Sequence, residues 1–333
     1  MEPESDLSRG NMADWSQVPN DCIPLIGTKL KVAADIFSFR GVCKLWRNFL
    51  PFPQPPWLVL AEEKDKLKSP LCHGFVGLGE QHVYELDLPE VHQARCVGST
   101  GTWLITVDNN RMIRLLNPFS RTQIVLPSQS TFEHGMPYPD NEFTPEEHRD
   151  WLVRKLVISS PPLSSTSGSS RDCIVMAIHH NHGRLAIARP GDASWTTVET
   201  PELLAQDIVF YKGQFHTVNL YGAVMVCDIG DDLHSPKASV LMDRFQLEKV
   251  CGTKLDCSNN TYVVELLREL LLVVKLTTFF YSDGKEEEED YKTERFEVYK
   301  LDFANKKWDE VKCLGEHSLF LGFNTSVSVL ASV

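Results

Sequence analysis

The chain has 333 residues, 42% hydrophobic and 23% charged, a balance that suits a soluble globular protein with one small module and one large core. A formal charge of −12 with no basic stripe argues against a nucleic-acid backbone binder, and the apolar stretch 263–280 carries Glu265, Arg268, Glu269 and Lys275, too many charges for a membrane span. Nine cysteines without a C-x-x-C pair, and an acidic, polar start unlike a secretory signal, point to reduced, mostly buried thiols in the cytoplasm or nucleus.

Residues 1–13 read as an unstructured tail, and helices are predicted from there to about 55. Ile23, Ile26 and Leu30 recur at steps of three and four, the period of an amphipathic helix. Pro24 is tolerated if it falls in the first turn after a cap at Asn20 or Asp21, where its missing amide has no partner to lose. Asp35 is read as the cap of a second helix running to Leu50. Its stripe is Ile36, Phe39, Cys43, Trp46 and Leu50, widened by Val42, Leu45 and Phe49, and Arg40, Lys44 and Arg47 keep a separate face soluble. Pro51 and Pro53 stop it. About forty residues cannot bury that much apolar surface internally. Part of it must pack on the rest of the chain, which periodicity alone favours, or in a groove on another protein.

The order of residues tips that balance. Val18-Pro19-x-Asp21, Asp35-Ile36-x-x-Phe39-Arg40 and Val42-Cys43-Lys44-x-Trp46-Arg47 together resemble an F-box over residues 14–55. Departures are Val18 where leucine is usual, Pro24 within the first helix, and Gly27 where a helix former is expected. The resemblance implies docking on a Skp-type adaptor and, through it, a cullin. It also implies that Pro19, Leu25, Ile26, Leu30, Ile36, Phe39, Val42, Cys43, Trp46 and Arg47 carry the adaptor contact and the module's fold.

From Trp57 the pattern alternates. Strands are predicted over 102–107, 112–116 and 123–126, then 173–178, 185–188 and 195–198, then 208–211, 214–219 and 223–228, then 296–301 and 308–311, each set joined by tight polar turns. Val263, Val264, Val273 and Val274 favour a hairpin over a helix around Leu266-Leu267-Arg268-Glu269. Such spacing means a sandwich or a propeller, and two hairpins that share Trp-x-x-Val (Trp195 to Val198, Trp308 to Val311) favour a propeller whose blades pack face to face. The fold class is therefore mainly β with a small all-α N-terminal module, the β part (residues 56–333) being a propeller-like domain of roughly six blades. Neither kelch nor WD signatures are present.

A second resemblance covers roughly residues 60 to 325. Leu115-Leu116-Asn117-Pro118-Phe119-Ser120-Arg121, Ala188-Arg189-Pro190-Gly191-Asp192-x-Ser194-Trp195, Phe210-Tyr211-Lys212-Gly213-Gln214-Phe215, Phe296 to Asp302 and Leu319-Phe320-Leu321-Gly322 are similar to the plant KIB-type F-box family. It implies a β-propeller-like domain that recruits a protein substrate for ubiquitination by an SCF-type ligase. The chain ends at Val333, where relatives continue into further strands, so closure of the ring is left open.

No catalytic centre is legible. His179-His180-Asn181-His182 could gather a metal, but lies between predicted strands and ends in Gly183, so a hairpin turn is the simpler reading. The pairs Asp231-Asp232 and Glu146-Glu147 sit in polar, turn-rich stretches that would not perturb a carboxylate, and the run 286–290 reads as a solvated loop. No cofactor or metal motif appears. Specificity is expected in loops: Ser128 to Asp150 is the candidate for substrate capture, and Ser159 to Asp172 reads as inert linker.

Overall fold

The computed structural model describes residues 15, 18–27, 29–30, 33–49, 57–59, 72–77, 83–118, 120–133, 143–162, 173–230, 235–245, 257–281 and 289–331. The expected tail 1–13, Pro51, Pro53, Asp231-Asp232, Cys251, and most of the linker 159–172 and of the acidic run 286–290 lie outside them. Contacts divide the chain into two compact units, residues 1–67 with 73–86 and residues 68–72 with 87–333.

The first unit holds α1 (Cys22–Gly27), α2 (Ala33–Val42), α3 (Lys44–Phe49) and a three-stranded sheet of β1 (Trp57–Val59), β2 (Cys72–Gly77) and β3 (Val83–Asp87), apart from a residue at the end of each of the last two strands. Pro24 does fall in the first turn of α1. The single helix predicted from Asp35 to Leu50 is corrected: it starts at Ala33, so Asp35 stands in the first turn rather than capping it, and it breaks at Cys43. Gly41 gives the break its physical cause, since glycine propagates a helix poorly. The two halves are then stitched side by side, Arg40 Nη1 donating to the Arg47 carbonyl at 2.8 Å and Arg47 Nε to the Arg40 carbonyl at 3.4 Å.

The second unit is built from consecutive antiparallel sheets. The first comprises β4 (Arg95–Thr100), β5 (Trp103–Val107), β6 (Ile113–Leu116) and β7 (Gln123–Leu126). Next come β8 (Val153–Ile158), β9 (Val175–His179), β10 (Arg184–Ala188) and β11 (Thr196–Thr197). The third comprises β12 (Ala205–Tyr211), β13 (Gln214–Asn219), β14 (Val224–Asp228) and β15 (Lys237–Met242). The fourth comprises β16 (Cys257–Leu266), β17 (Glu269–Tyr281), β18 (Glu289–Asp302) and β19 (Lys307–Glu310), and β20 (His317–Phe320) with β21 (Val327–Leu330) closes the series. Counting the sheet of the first unit, the described residues make six sheets, in keeping with the blade-like repetition of the sequence.

Within the second unit, alternating apolar residues put a buried layer between each sheet and the next. One core joins β4–β7 to β8–β11 through Ile105, Leu115, Leu156 and Ala177, another joins that sheet to β12–β15 through Ile178, Ile187, Phe215 and Met225, and a third continues to β16–β19 through Val218, Val224, Leu272 and Val274. The two tryptophans of the repeated motif sit in two of these layers. Trp195 is buried, stacks on Phe132 with centroids 4.8 Å apart, and donates from Nε1 to the Pro127 carbonyl at 2.9 Å. Trp308 packs against the third layer beside Phe245.

The first strands of the sheets run next to one another, and three of them carry the same irregularity. The pairing register slips between Cys96 and Gly98, between Val153 and Lys155, and between Ala205 and Asp207, leaving Val97, Arg154 and Gln206 as extra residues in β-bulges. Gly98 is required where it stands, because a Cβ there would lie 2.1 Å from the Leu156 carbonyl oxygen of the neighbouring strand. The residues after the other two bulges, Lys155 and Asp207, form a buried ion pair. Asp207 also accepts from the Ile208 amide at 2.8 Å, the Val263 amide at 3.1 Å and Ser326 Oγ at 2.6 Å, while Lys155 Nζ donates to the Gly322 carbonyl at 3.1 Å. Thr325 Oγ1 takes the Ser99 amide at 2.9 Å. The segment before β21 is thereby tied to β4, β8, β12 and β16 at once.

The hairpin expected around 266–269 is present, and its turn is strained. Leu267 and Arg268 have φ of 50° and 64°, the left-handed region that a two-residue turn of this type demands and that suits Asn-Gly. Tyr211 Oη donates to the Arg268 carbonyl at 2.6 Å and helps hold it. Because that bond uses backbone, the pair Leu267→Asn, Arg268→Gly keeps it while relieving about 1–2 kcal/mol of strain. Urea denaturation of the double variant is expected to move to higher midpoint, and an unchanged or lower midpoint would refute the strain.

Cysteine burial is a second correction. The six free cysteines described include two buried ones, Cys173 and Cys227, whereas Cys22 and Cys313 are exposed and Cys43 and Cys96 half-buried. Burial pushes the Cys173 thiol up to about 11 and the Cys227 thiol up to about 12. Among the described residues, no helix is long and apolar enough to cross a membrane.

Candidate functional site

The helical module has a core of three side chains. Ile23, Phe39 and Trp46 are buried, with Val18, Ile26, Leu30 and Cys43 packed partly against them, and the Phe39 and Trp46 rings lie 4.6 Å apart. Of the ten residues expected to carry the adaptor contact and the module's fold, Phe39 and Trp46 belong to the interior. Ile26, Leu30 and Cys43 border it, while Pro19, Leu25, Val42 and Arg47 are exposed. Ile36 lies on α2, and its side chain is outside the described residues. Leu25 is 67% exposed, Val42 38%, and Leu45 and Phe49, which the expected set lacked, 41% and 38%. The last two stand four apart on α3 and so share a face. Their spacing was the available signal. A single long helix would merge them into its wide stripe, and the break at Cys43 separates them from it.

In the second unit, the described residues of the loop favoured for substrate capture form short helical turns. Residues 134–142 lie outside the described set, but its two ends are built. Ser128 caps a short 3-10 turn (Gln129–Thr131), and Thr144 closes a capping box with Glu147 over Pro145–Glu147. One wide helical turn (His148–Leu152) then leads into β8. The backbone just before β4 and side chains of the β5–β6 turn brace that stretch. Arg149 Nη1 donates to the Gln93 carbonyl at 3.1 Å, Asn109 Nδ2 to Glu146 at 3.3 Å, and Arg111 Nη2 meets His148 Nε2 at 2.9 Å. Arg149 also clamps Asp150 through two bonds, at 2.7 and 3.0 Å, and holds that carboxyl below its usual range.

The expected turn at 180–182 is present. His179 ends β9, buried and stacked on Phe132, and His180 opens the turn at φ 56°. Ser326 Oγ lies 3.2 Å from Lys155 Nζ, a pairing that elsewhere activates a serine. Here Lys155 is committed to Asp207 and buried with it, and Ser326 gives its proton to the same carboxylate, so the trio is a structural tie.

The whole of this sheet series, with the ties between its first strands, falls within a stretch that matches a known domain: residues 75–333 match the KIB1-4 beta-propeller. The chain belongs to that family. Curated relatives extend the similarity through the helical module. F-box protein At2g17036 of Arabidopsis thaliana is 24% identical over 95% of this chain and 79% of its own length, and F-box protein SKIP23 of the same plant is 25% identical over 96% and 81%. Among solved structures, YCF48 from Cyanidioschyzon merolae aligns over 75% of this chain and 67% of its own at 12% identity and a TM-score of 0.37, too loose a likeness to bear on function. Family membership accounts for the β architecture. It names relatives that are F-box proteins and no catalytic family.

Proposed function

We propose that this protein is the substrate-recognition subunit of an SCF-type ubiquitin ligase. Residues 14–55 dock on a Skp-type adaptor and thereby on a cullin, and residues 56–333 capture the protein to be ubiquitinated. Catalysis belongs to other subunits, and neither a cofactor nor a metal is required. The reading places the protein in the cytoplasm or nucleus, where such ligases work. What carries it is the mismatch within the module: three buried side chains support exposed Leu25, Val42, Leu45 and Phe49, an apolar surplus that suits a groove on another protein. F-box relatives that align through this segment support the same reading.

Co-expression with a Skp-type adaptor followed by size-exclusion chromatography tests it. Wild type is expected to co-elute. Leu45→Glu with Phe49→Glu is expected to keep its helical signal and lose at least about 90% of the co-eluting adaptor, since each change puts a charge into an apolar contact. A folded wild type that elutes without adaptor would leave the β domain as a ubiquitin-independent interaction protein with a vestigial F-box.

A further inference from the structure

The bulges in β8 and β12 converge on one point. Bulges re-aim side chains, and the two extra residues, Arg154 and Gln206, turn toward each other: Arg154 Nη2 donates to Gln206 Oε1 at 3.3 Å and Nη1 to the Ala205 carbonyl at 3.5 Å. Those two long bonds are its only ones among the described residues, although a guanidinium has five donors. Among the described residues, no carboxylate faces it. Glu146 and Glu147 bond Asn109 and the Thr144 amide, and Asp150 is clamped by Arg149. Arg154 is nonetheless half-buried, and desolvation alone pulls its pKa below the usual guanidinium value. Gln206 presents its amide nitrogen without a partner among the described residues. The spot is thus rich in donors and short of an acceptor.

Three residues before Arg154 in the chain, an exposed aromatic stands on a braced segment. Trp151 precedes Arg154 by three residues and is 68% exposed, yet its segment is pinned on both sides by Arg149 to Gln93, by Arg111 to His148, and by Arg95 to the Asp150 and Val153 carbonyls. A solvent-facing tryptophan on a braced segment, three residues from an arginine with no anion among the described residues, has the composition of a binding hot spot. We infer that Trp151, Arg154 and Gln206 form the docking point for an acidic side chain of the captured protein, the carboxylate accepting from Arg154 and Gln206 while the adjoining apolar residue packs on the indole. The inference rests on the reading of the β domain as a substrate receptor and narrows its substrates to those with an exposed aspartate or glutamate next to an apolar residue.

The test uses the full chain in complex with its adaptor on an array of twelve-residue positional-scanning peptides tethered by their C-termini, so that only side-chain carboxylates are offered. Positions fixed as Asp or Glu are expected to bind several-fold more protein than positions fixed as Lys, and the preference is expected to shrink as salt rises. Arg154→Gln is expected to lower acid-dependent binding about tenfold, and Trp151→Ala to lower it comparably. Arg154→Lys is expected to retain part of it. Equal binding of acidic and basic positions, or an acid preference that survives Arg154→Gln, overturns the proposal. Were Arg154 only a tie between sheets, its glutamine variant would melt earlier and keep its peptide preference. Adaptor co-elution, measured on the same preparations, reports on the receptor reading separately.

Discussion

Replacing Asp207 with alanine is expected to remove about 3–5 kcal/mol of stability, because it strands the buried Lys155 ammonium without its counter-ion. The same carboxylate accepts from two backbone amides on β12 and β16 and from Ser326, so its loss also frees buried donors and loosens the C-terminal segment. Urea denaturation of the purified chain measures the first effect, and faster proteolytic clipping between 320 and 331 the second. Lys155→Met is expected to destabilise on its own, yet Lys155→Met with Asp207→Ala should cost clearly less than the sum of the two, since neither charge is then left behind. A loss below about 1 kcal/mol for Asp207→Ala, or strict additivity, would mean the pair is not the hub it resembles.

The second large effect concerns the helical module. Trp46→Ala deletes the largest of three buried side chains, a change that costs about 3–5 kcal/mol in an ordinary core and more than so small a module can supply. The expected outcome is loss of adaptor co-elution with unchanged melting of the sheets β4–β21, because the core of Ile23, Phe39 and Trp46 shares no residue with the cores of those sheets. Trp46→Phe is the control. Trp46 Nε1 has no hydrogen-bond partner among the described residues, so phenylalanine forfeits only packing area and should keep most of the binding. Adaptor capture that survives Trp46→Ala would mean the module's core does not depend on this side chain. The contrast with Leu45→Glu and Phe49→Glu separates folding from contact: the interior change abolishes the helical signal of the module, the surface change keeps it.

Much of the architecture follows from local pattern. The predicted β7 and β13 coincide with the observed Gln123–Leu126 and Gln214–Asn219, and the Trp-x-x-Val repeats lie in layers between sheets. Alternation with period two, and turns built from Asp, Asn and Gly, are written residue by residue, which is why they are readable without coordinates. The strained Leu267-Arg268 turn was legible for the same reason, through the β-branched runs on either side rather than through the turn residues themselves.

Other features needed the tertiary structure. Periodicity assigns Phe39, Trp46, Leu45 and Phe49 to one apolar stripe, but only the break at Cys43, allowed by Gly41 and fixed by the reciprocal arginine bonds, decides which of them are interior and which face outward. Arg154, Gln206, Lys155 and Asp207 look like ordinary polar residues in alternating strands. A bulge is a shift between two strands far apart in sequence, and no local pattern announces it. What the chain by itself determined was the class of fold and the presence of a small helical segment at its N-terminal end. Which polar groups are buried together, and which cation has no anion among the described residues, was decided only when strands about fifty residues apart came side by side, because desolvation and pairing depend on neighbours that the linear order does not contain.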